Sequence, residues 1–169
     1  MSQGQALELV EQLAHCFGKE GAISVIAEMR KDAGEKVAQE IKNEGGKALV
    51  IQTDVSKREE VKDMVKNVIN ELGKVDILVN NPTYIVISFN YFHEMDHEEW
   101  EKEIAVDWVG VLNSCHSVIP RMINQKRGRI VSITSDASKI STPNRSNQET
   151  RQLLPAFQGR LLVSWPVRD

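Results

Sequence analysis

Glu28, Asp54 and the pair Asn80-Asn81 each follow a short β-branched run, and such strand ends are where a parallel α/β sheet meets its ligands. Glu28 comes after Ser24-Val25-Ile26-Ala27. A carboxylate there can accept hydrogen bonds from the ribose hydroxyls of an adenine nucleotide and would repel a phosphate carried on that ribose. Read alone, it is first of all an ordinary solvated acid. Asp54, after Val50-Ile51-Gln52-Thr53, is a second candidate, and equally a turn acid ahead of a helix cap at Ser56. Asn80-Asn81, after Val79, suits a tight turn with or without a ligand. Cys16 and Cys115 stand far apart, with no Cys-x-x-Cys and no Cys/His cluster, so no disulfide framework or metal site is expected; both read as buried thiols.

The elements that must position these residues alternate. Strands are expected at 22–27, 48–51, 75–79 and 129–133, and the stretches between them have helical period. Ala33, Val37, Ala38 and Ile41 form one apolar stripe, stopped by Gly45-Gly46. Val61, Met64, Val65, Val68 and Leu72 form another, stopped by Gly73. A long helical region is expected from about His97 to Ile123. Alternation of this kind predicts an α/β fold with a parallel sheet and right-handed crossovers. The ends differ: 1–21 reads as one amphipathic helix (Leu7, Val10, Leu13, Ala14, Phe17) with no strand before it, and 141–169 has no clear period. The expected organisation is a partial nucleotide-binding domain over 1–140 and an atypical, poorly ordered tail over 141–169.

Composition sets the bounds. A chain of 169 residues with 41% hydrophobic and 27% charged residues suits one soluble globular domain. A net charge of -3, with cations and anions interspersed, announces no nucleic-acid surface. No signal sequence or membrane-length apolar run is present, so the cytoplasm is the expected compartment.

Six segments occur in the order and spacing of the short-chain dehydrogenase/reductase family: Gly18-Lys-Glu-Gly-Ala22, Asp32-Ala-Gly-Glu-Lys-Val37, Thr53-Asp-Val-Ser56, Val75-Asp-Ile-Leu-Val-Asn-Asn81, Val106-Asp-Trp-Val-Gly-Val111 and Gly128-Arg-Ile-Val-Ser-Ile-Thr-Ser135. The chain resembles that family over about 120 residues. The resemblance implies a Rossmann-type doubly wound parallel sheet, incomplete because the first strand and the C-terminal part are missing. It implies an NAD(P)-dependent oxidoreductase, with NAD favoured over NADP by Glu28. It sets Glu28 on the adenosine ribose, Asp54 and Val55 at the adenine and Asn80 near the cofactor. Ser135 becomes the hydroxyl that orients a substrate carbonyl, and Asp107 takes the place of a catalytic Asn. His93-Glu-Met-Asp96 and Asn113-Ser-Cys-His116 have the flavour of members acting on acyl-CoA or acyl-carrier groups. Intact relatives would take a small carbonyl or alcohol, with no nucleic acid or membrane as partner, and would self-associate through the long helix.

The departures are as specific as the matches. Where the family has its proton-transferring Tyr, thirteen residues after the Ser, this chain has Gln148, and where the partner Lys should stand it has Gln152. Amides do not titrate near neutral pH. The family's glycine-rich first turn is replaced by Gly4-Gln-Ala-Leu-Glu-Leu-Val10, and its Asn-Asn-Ala-Gly turn by Asn80-Asn81-Pro82-Thr83. Both aberrant ends fit coding sequence read one base out of register: Leu7 to Gln12 then permits Gly-Ile-Gly-Arg, and Gln158 to Pro166 permits Arg-Ala-Phe-Ala-Arg-Glu-Leu-Ala, while Lys but not Tyr is recovered. Met1 would be an accidental start, and the nucleotide sequence decides the point. The chain thus reads as an oxidoreductase by descent that is inactive as written, the alternative being a catalytically dead nucleotide-binding or dimerisation module. A flavodoxin-like α/β protein fits the alternation but not the ordered motifs.

Overall fold

Strand and helix alternate along the chain in the computed structural model, which describes residues 3–84 and 96–133. The elements are α1 (Gln3–Lys19), β1 (Ile23–Glu28), α2 (Lys31–Asn43), β2 (Lys47–Gln52), α3 (Arg58–Leu72), β3 (Ile77–Asn80), α4 (His97–Glu103), a π-helical turn (Ile104–Val109), α5 (Gly110–Asn124) and β4 (Arg129–Ser132). The chain divides into two compact units, 1–54 and 55–169.

In the first unit, β1 and β2 pair in parallel from Ile23↔Lys47 to Glu28↔Gln52. The crossover helix α2 covers them with the expected stripe: Gly34, Val37, Ala38 and Ile41 are buried. Ile41 is the best covered, at 1% exposed. The Ser24 hydroxyl donates to Ala14 O at 3.1 Å and ties α1 to β1. His15 lies with Nδ1 3.2 Å from Glu44 and Nε2 3.7 Å from Glu40, bringing α1 onto α2.

In the second unit, β3 and β4 pair in parallel from Ile77↔Arg129 to Asn80↔Ser132. The core forms where α3 (Val61, Met64, Val65, Val68) meets α5 (Val111, Cys115, Val118, Met122). Gly73 closes α3 in the left-handed region, φ 78°, where a side chain would be strained, and its N–H donates to Ile69 O. The architecture is the expected α/β type with parallel strands, and the sheet is partial: among the described residues the strands form two pairs, β1-β2 and β3-β4.

Three local expectations are corrected. The N-cap position of α3 falls on Lys57, one residue after the expected Ser56, in extended conformation and with no capping hydrogen bond from the Lys57 side chain. Glu59 and Glu60 in the first turn complement the helix dipole in its place. The long helix is not uniform, because Gly110 N–H reaches back five residues to Ala105 O and a π turn separates α4 from α5. Periodicity cannot reveal one extra residue in a single turn. Third, Asn80 is the last residue of β3, buried at 4% exposed, so only Asn81 of the pair lies beyond the strand.

Candidate functional site

At the carboxyl end of the β1-β2 pair, parallel register brings Glu28 opposite Gln52, and Thr53 N–H donates to Glu28 O at 3.1 Å. Asp54 follows directly, so the first unit carries two of the expected cofactor-binding acids at one strand end. The Glu28 carboxylate is held there: Oε1 accepts from Arg30 N at 3.0 Å and lies 3.7 Å from Arg30 Nε. Arg30, not singled out from the sequence, sets a guanidinium beside the acid. Thr53 is 2% exposed, and its hydroxyl donates to Ile51 O at 3.2 Å, which fixes the backbone leading into Asp54.

The second unit carries a separate polar cluster at the carboxyl end of β3. The Asn80 carboxamide donates to Ser132 Oγ at 3.3 Å and to Cys115 Sγ at 3.4 Å, joining β3, β4 and α5. Burial pushes the Cys115 thiol above its ordinary pKa, with the Asn80 contact acting in the opposite direction. Cys115 is thus the buried thiol expected, whereas Cys16 is exposed, a correction, because it lines an open depression shared with Glu40 and Glu44 of α2. Asp107, 4% exposed, sits in the π turn and accepts a short 2.6 Å bond from the Tyr84 backbone N–H. Asp107 therefore anchors the chain that runs out of β3.

Val55 and Ser56, the first residues of this unit, are gripped by α5. Asn113 Nδ2 donates to Val55 O at 3.0 Å and to Ser56 O at 3.3 Å. A Cβ on Gly110 would come within 2.8 Å of Val55 Cγ2, so glycine is required for this approach. The sequence signal for Asn113 was only that Asn is a weak interior helix former.

Glu28 with Asp54, and Asn80 with Asp107 and Val55, are thus each grouped within their own unit. Ser135, Gln148 and Gln152 lie outside the described residues, as does 141–169. Among the described residues no group of three or more His, Cys, Asp or Glu could hold a metal, and no helix is long and apolar enough to cross a membrane.

Parallel strand pairs with acids at their carboxyl ends define an α/β fold of the dinucleotide-binding kind. The chain matches the short chain dehydrogenase family over residues 4–147 and belongs to it. It is 37% identical over 117 residues to a 3-oxoacyl-[acyl-carrier-protein] reductase of Staphylococcus epidermidis, covering 69% of this chain and 47% of that protein. The chain therefore spans about half the length of this curated relative. Among solved structures, it is similar to a metagenomic short-chain oxidoreductase in complex with NADP (TM-score 0.84, 26% identity, 89% of this chain and 68% of the other). It is also similar to NAD+-bound xylitol dehydrogenase (TM-score 0.79, 25% identity, 92% and 57%).

Proposed function

We propose that this chain is an NAD(P)-dependent oxidoreductase of the short-chain type by descent, and that as written it binds the adenosine half of a dinucleotide without transferring hydride. The observation that carries the reading is the placement of Glu28 and Asp54 at one end of the β1-β2 pair. The residues present fit an adenosine and do not fit a pyrophosphate: before Gly18 the only glycine is Gly4, which lies in the first turn of α1. A side-chain-free turn is what lets backbone approach phosphate oxygens. At the positions of the family's acid/base pair the chain has Gln148 and Gln152, which can neither give nor take a proton near neutral pH.

NAD is favoured over NADP because the Glu28 carboxylate would repel a 2′-phosphate, while Arg30 beside it reduces that discrimination. The substrates of intact relatives would be small carbonyls or alcohols; the staphylococcal relative is named for an acyl-carrier one. Cytoplasmic location and self-association through the 97–124 helical region belong to the same proposal.

The test is a titration of the purified chain with ADP, NAD and NADP, followed by Trp fluorescence, together with a turnover assay on a 3-oxoacyl thioester. Saturable quenching by ADP and NAD, weaker by NADP, with no consumption of reduced nicotinamide, is expected. No saturation by any of the three overturns the binding reading, and turnover overturns the loss of catalysis.

A further inference from the structure

We infer that Gln52 is a positioning residue for Glu28, fixing the peptide group on which the Glu28 carboxylate is held. This role rests on the adenosine-binding reading, because Glu28 is the acid set on the ribose. All the residues concerned lie within the first unit, 1–54. Glu28 and Gln52 are register partners at the carboxyl ends of β1 and β2. A Cβ on Gly34 would meet Val50 Cγ1 at 2.9 Å and Glu28 Cβ at 3.5 Å, so Glu28 and Val50 face α2, and Gln52, two residues beyond Val50, faces the same way. Both side chains then take hold of one peptide group, that between Met29 and Arg30. Its carbonyl accepts from Gln52 Nε2 at 3.0 Å, and its N–H donates to Glu28 Oε1 at 3.0 Å. A peptide group is planar, so fixing its two poles fixes the orientation of the whole unit. Arg30 is also the N-cap of α2, in extended conformation (φ -91°, ψ 102°), and its carbonyl accepts the Gly34 N–H at 3.2 Å. The turn is thereby held on both sides of the clamped group.

The consequence falls on the carboxylate. Among the described residues both of its protein contacts, the Arg30 N–H and the Arg30 guanidinium with Nε at 3.7 Å, are made by Oε1. Oε2 is the oxygen left to accept from a ribose hydroxyl. Were the 29–30 peptide group unfixed, its N–H would turn away and the ligand itself would have to order the carboxylate, a cost that preorganisation removes. Gln52 thus acts on recognition of a ribose diol while touching no ligand. Repulsion of a 2′-phosphate works through the charge of Glu28 rather than through one oxygen, and is far less sensitive to how the carboxylate is turned.

The experiment compares the full chain with Q52M, which keeps the length of the side chain without its donor, and with Q52A, which removes the arm. The control is Q39M, which deletes another exposed amide of the same unit, one that donates to Asn43 Oδ1 at 2.9 Å. Amide exchange at Arg30 and Thr53 is followed by NMR, and NAD and NADP are titrated. In Q52M and Q52A, exchange at Arg30 is expected to accelerate while Thr53, whose N–H is bonded to Glu28 O, keeps its rate. NAD affinity is expected to fall about threefold, toward the low end for one hydrogen bond, with NADP affinity unchanged. Q39M should match the parent throughout. In an E28Q background, Q52M should no longer alter the ratio of NAD to NADP affinity, because the two residues act in series. Unchanged exchange at Arg30 overturns the clamp. Faster exchange with an unaltered ratio overturns its part in recognition, and a ratio that still shifts in E28Q overturns action through Glu28. If the parent binds neither dinucleotide, faster exchange at Arg30 in Q52M supports the clamp and overturns the adenosine reading instead.

Discussion

The two units solve the same problem, covering a parallel strand pair with helices, by different chemistry. In 1–54 the strands are six residues long, and α2 is held on them by an apolar stripe; the polar contacts between α1 and α2 are surface ion pairs. In 55–133 the strands are four residues long; the Asn80 amide holds the Ser132 hydroxyl, and Asp107, Asn113 and Gln125 pin backbone, Gln125 through Nε2 donating to Val75 O at 2.5 Å. Longer pairing needs only pattern. Shorter pairing needs specific hydrogen bonds, which cost more when broken, because a buried partner is left unsatisfied.

The sharpest way to break the comparison is Ile41→Ala. Removing a fully covered side chain from the small α2 core should cost about 2–5 kcal/mol. Hydrogen exchange should then accelerate across 23–52 while 61–68 and 111–122 keep their protection; a uniform loss would contradict the contrast between the units. Next comes Asn80→Ala in the second unit, expected to cost about 1–3 kcal/mol through lost donors and stranded partners. A denaturant midpoint unchanged from the parent would argue that polar pinning contributes little there.

That contrast explains what could be read from the sequence. The stripes of α2 and α3, the stop at Gly73 and the four strands follow from period and turn chemistry, which are local. Glu28 and Asp54 were legible for the same reason, each being marked by the end of an apolar run. Asn113 and Gln125 were not, because a polar residue on a helix looks the same whether it faces water or a carbonyl fifty or more positions away. The π turn was hidden because it changes geometry without changing composition. Arg30 was not singled out, because only the folded distance to Glu28 shows that a guanidinium stands beside that acid.

A smaller effect separates the two thiols. Cys16 is exposed and Cys115 is buried with its pKa raised, so alkylation under native conditions should modify Cys16 at least about tenfold faster. Mass spectrometry of the labelled chain checks this, and comparable rates would mean that the α3-α5 core opens readily. The smallest effect is in the surface cluster of the first unit. Glu44 is held below its ordinary carboxylate pKa, first by its hydrogen bond to His15 and then by Lys19. A depressed folded pKa means that the unfolded chain binds more protons in the acid range, so stability is fully present above the ordinary value of 4.5 and is lost as pH falls through the lowered one. Glu44→Gln should flatten that acid limb slightly. An unchanged acid limb in a pH series of melts would show that the pair is screened away.

The π turn makes the two halves of the 97–124 region rotationally offset, and a substitution cannot remove that offset. Deleting one residue can. Taking out Ala105 would let the hydrogen-bonding pattern relax to the four-residue repeat and swing α4 by about 100° around the helix axis relative to α5, the angle each residue subtends. Glu98, Glu101 and Lys102, now turned to solvent, would be carried round together with it. The extra residue thus works as a phase setting, adjustable in single steps by changes in chain length, so a deletion at this point would re-aim α4 and leave its amino acids unaltered.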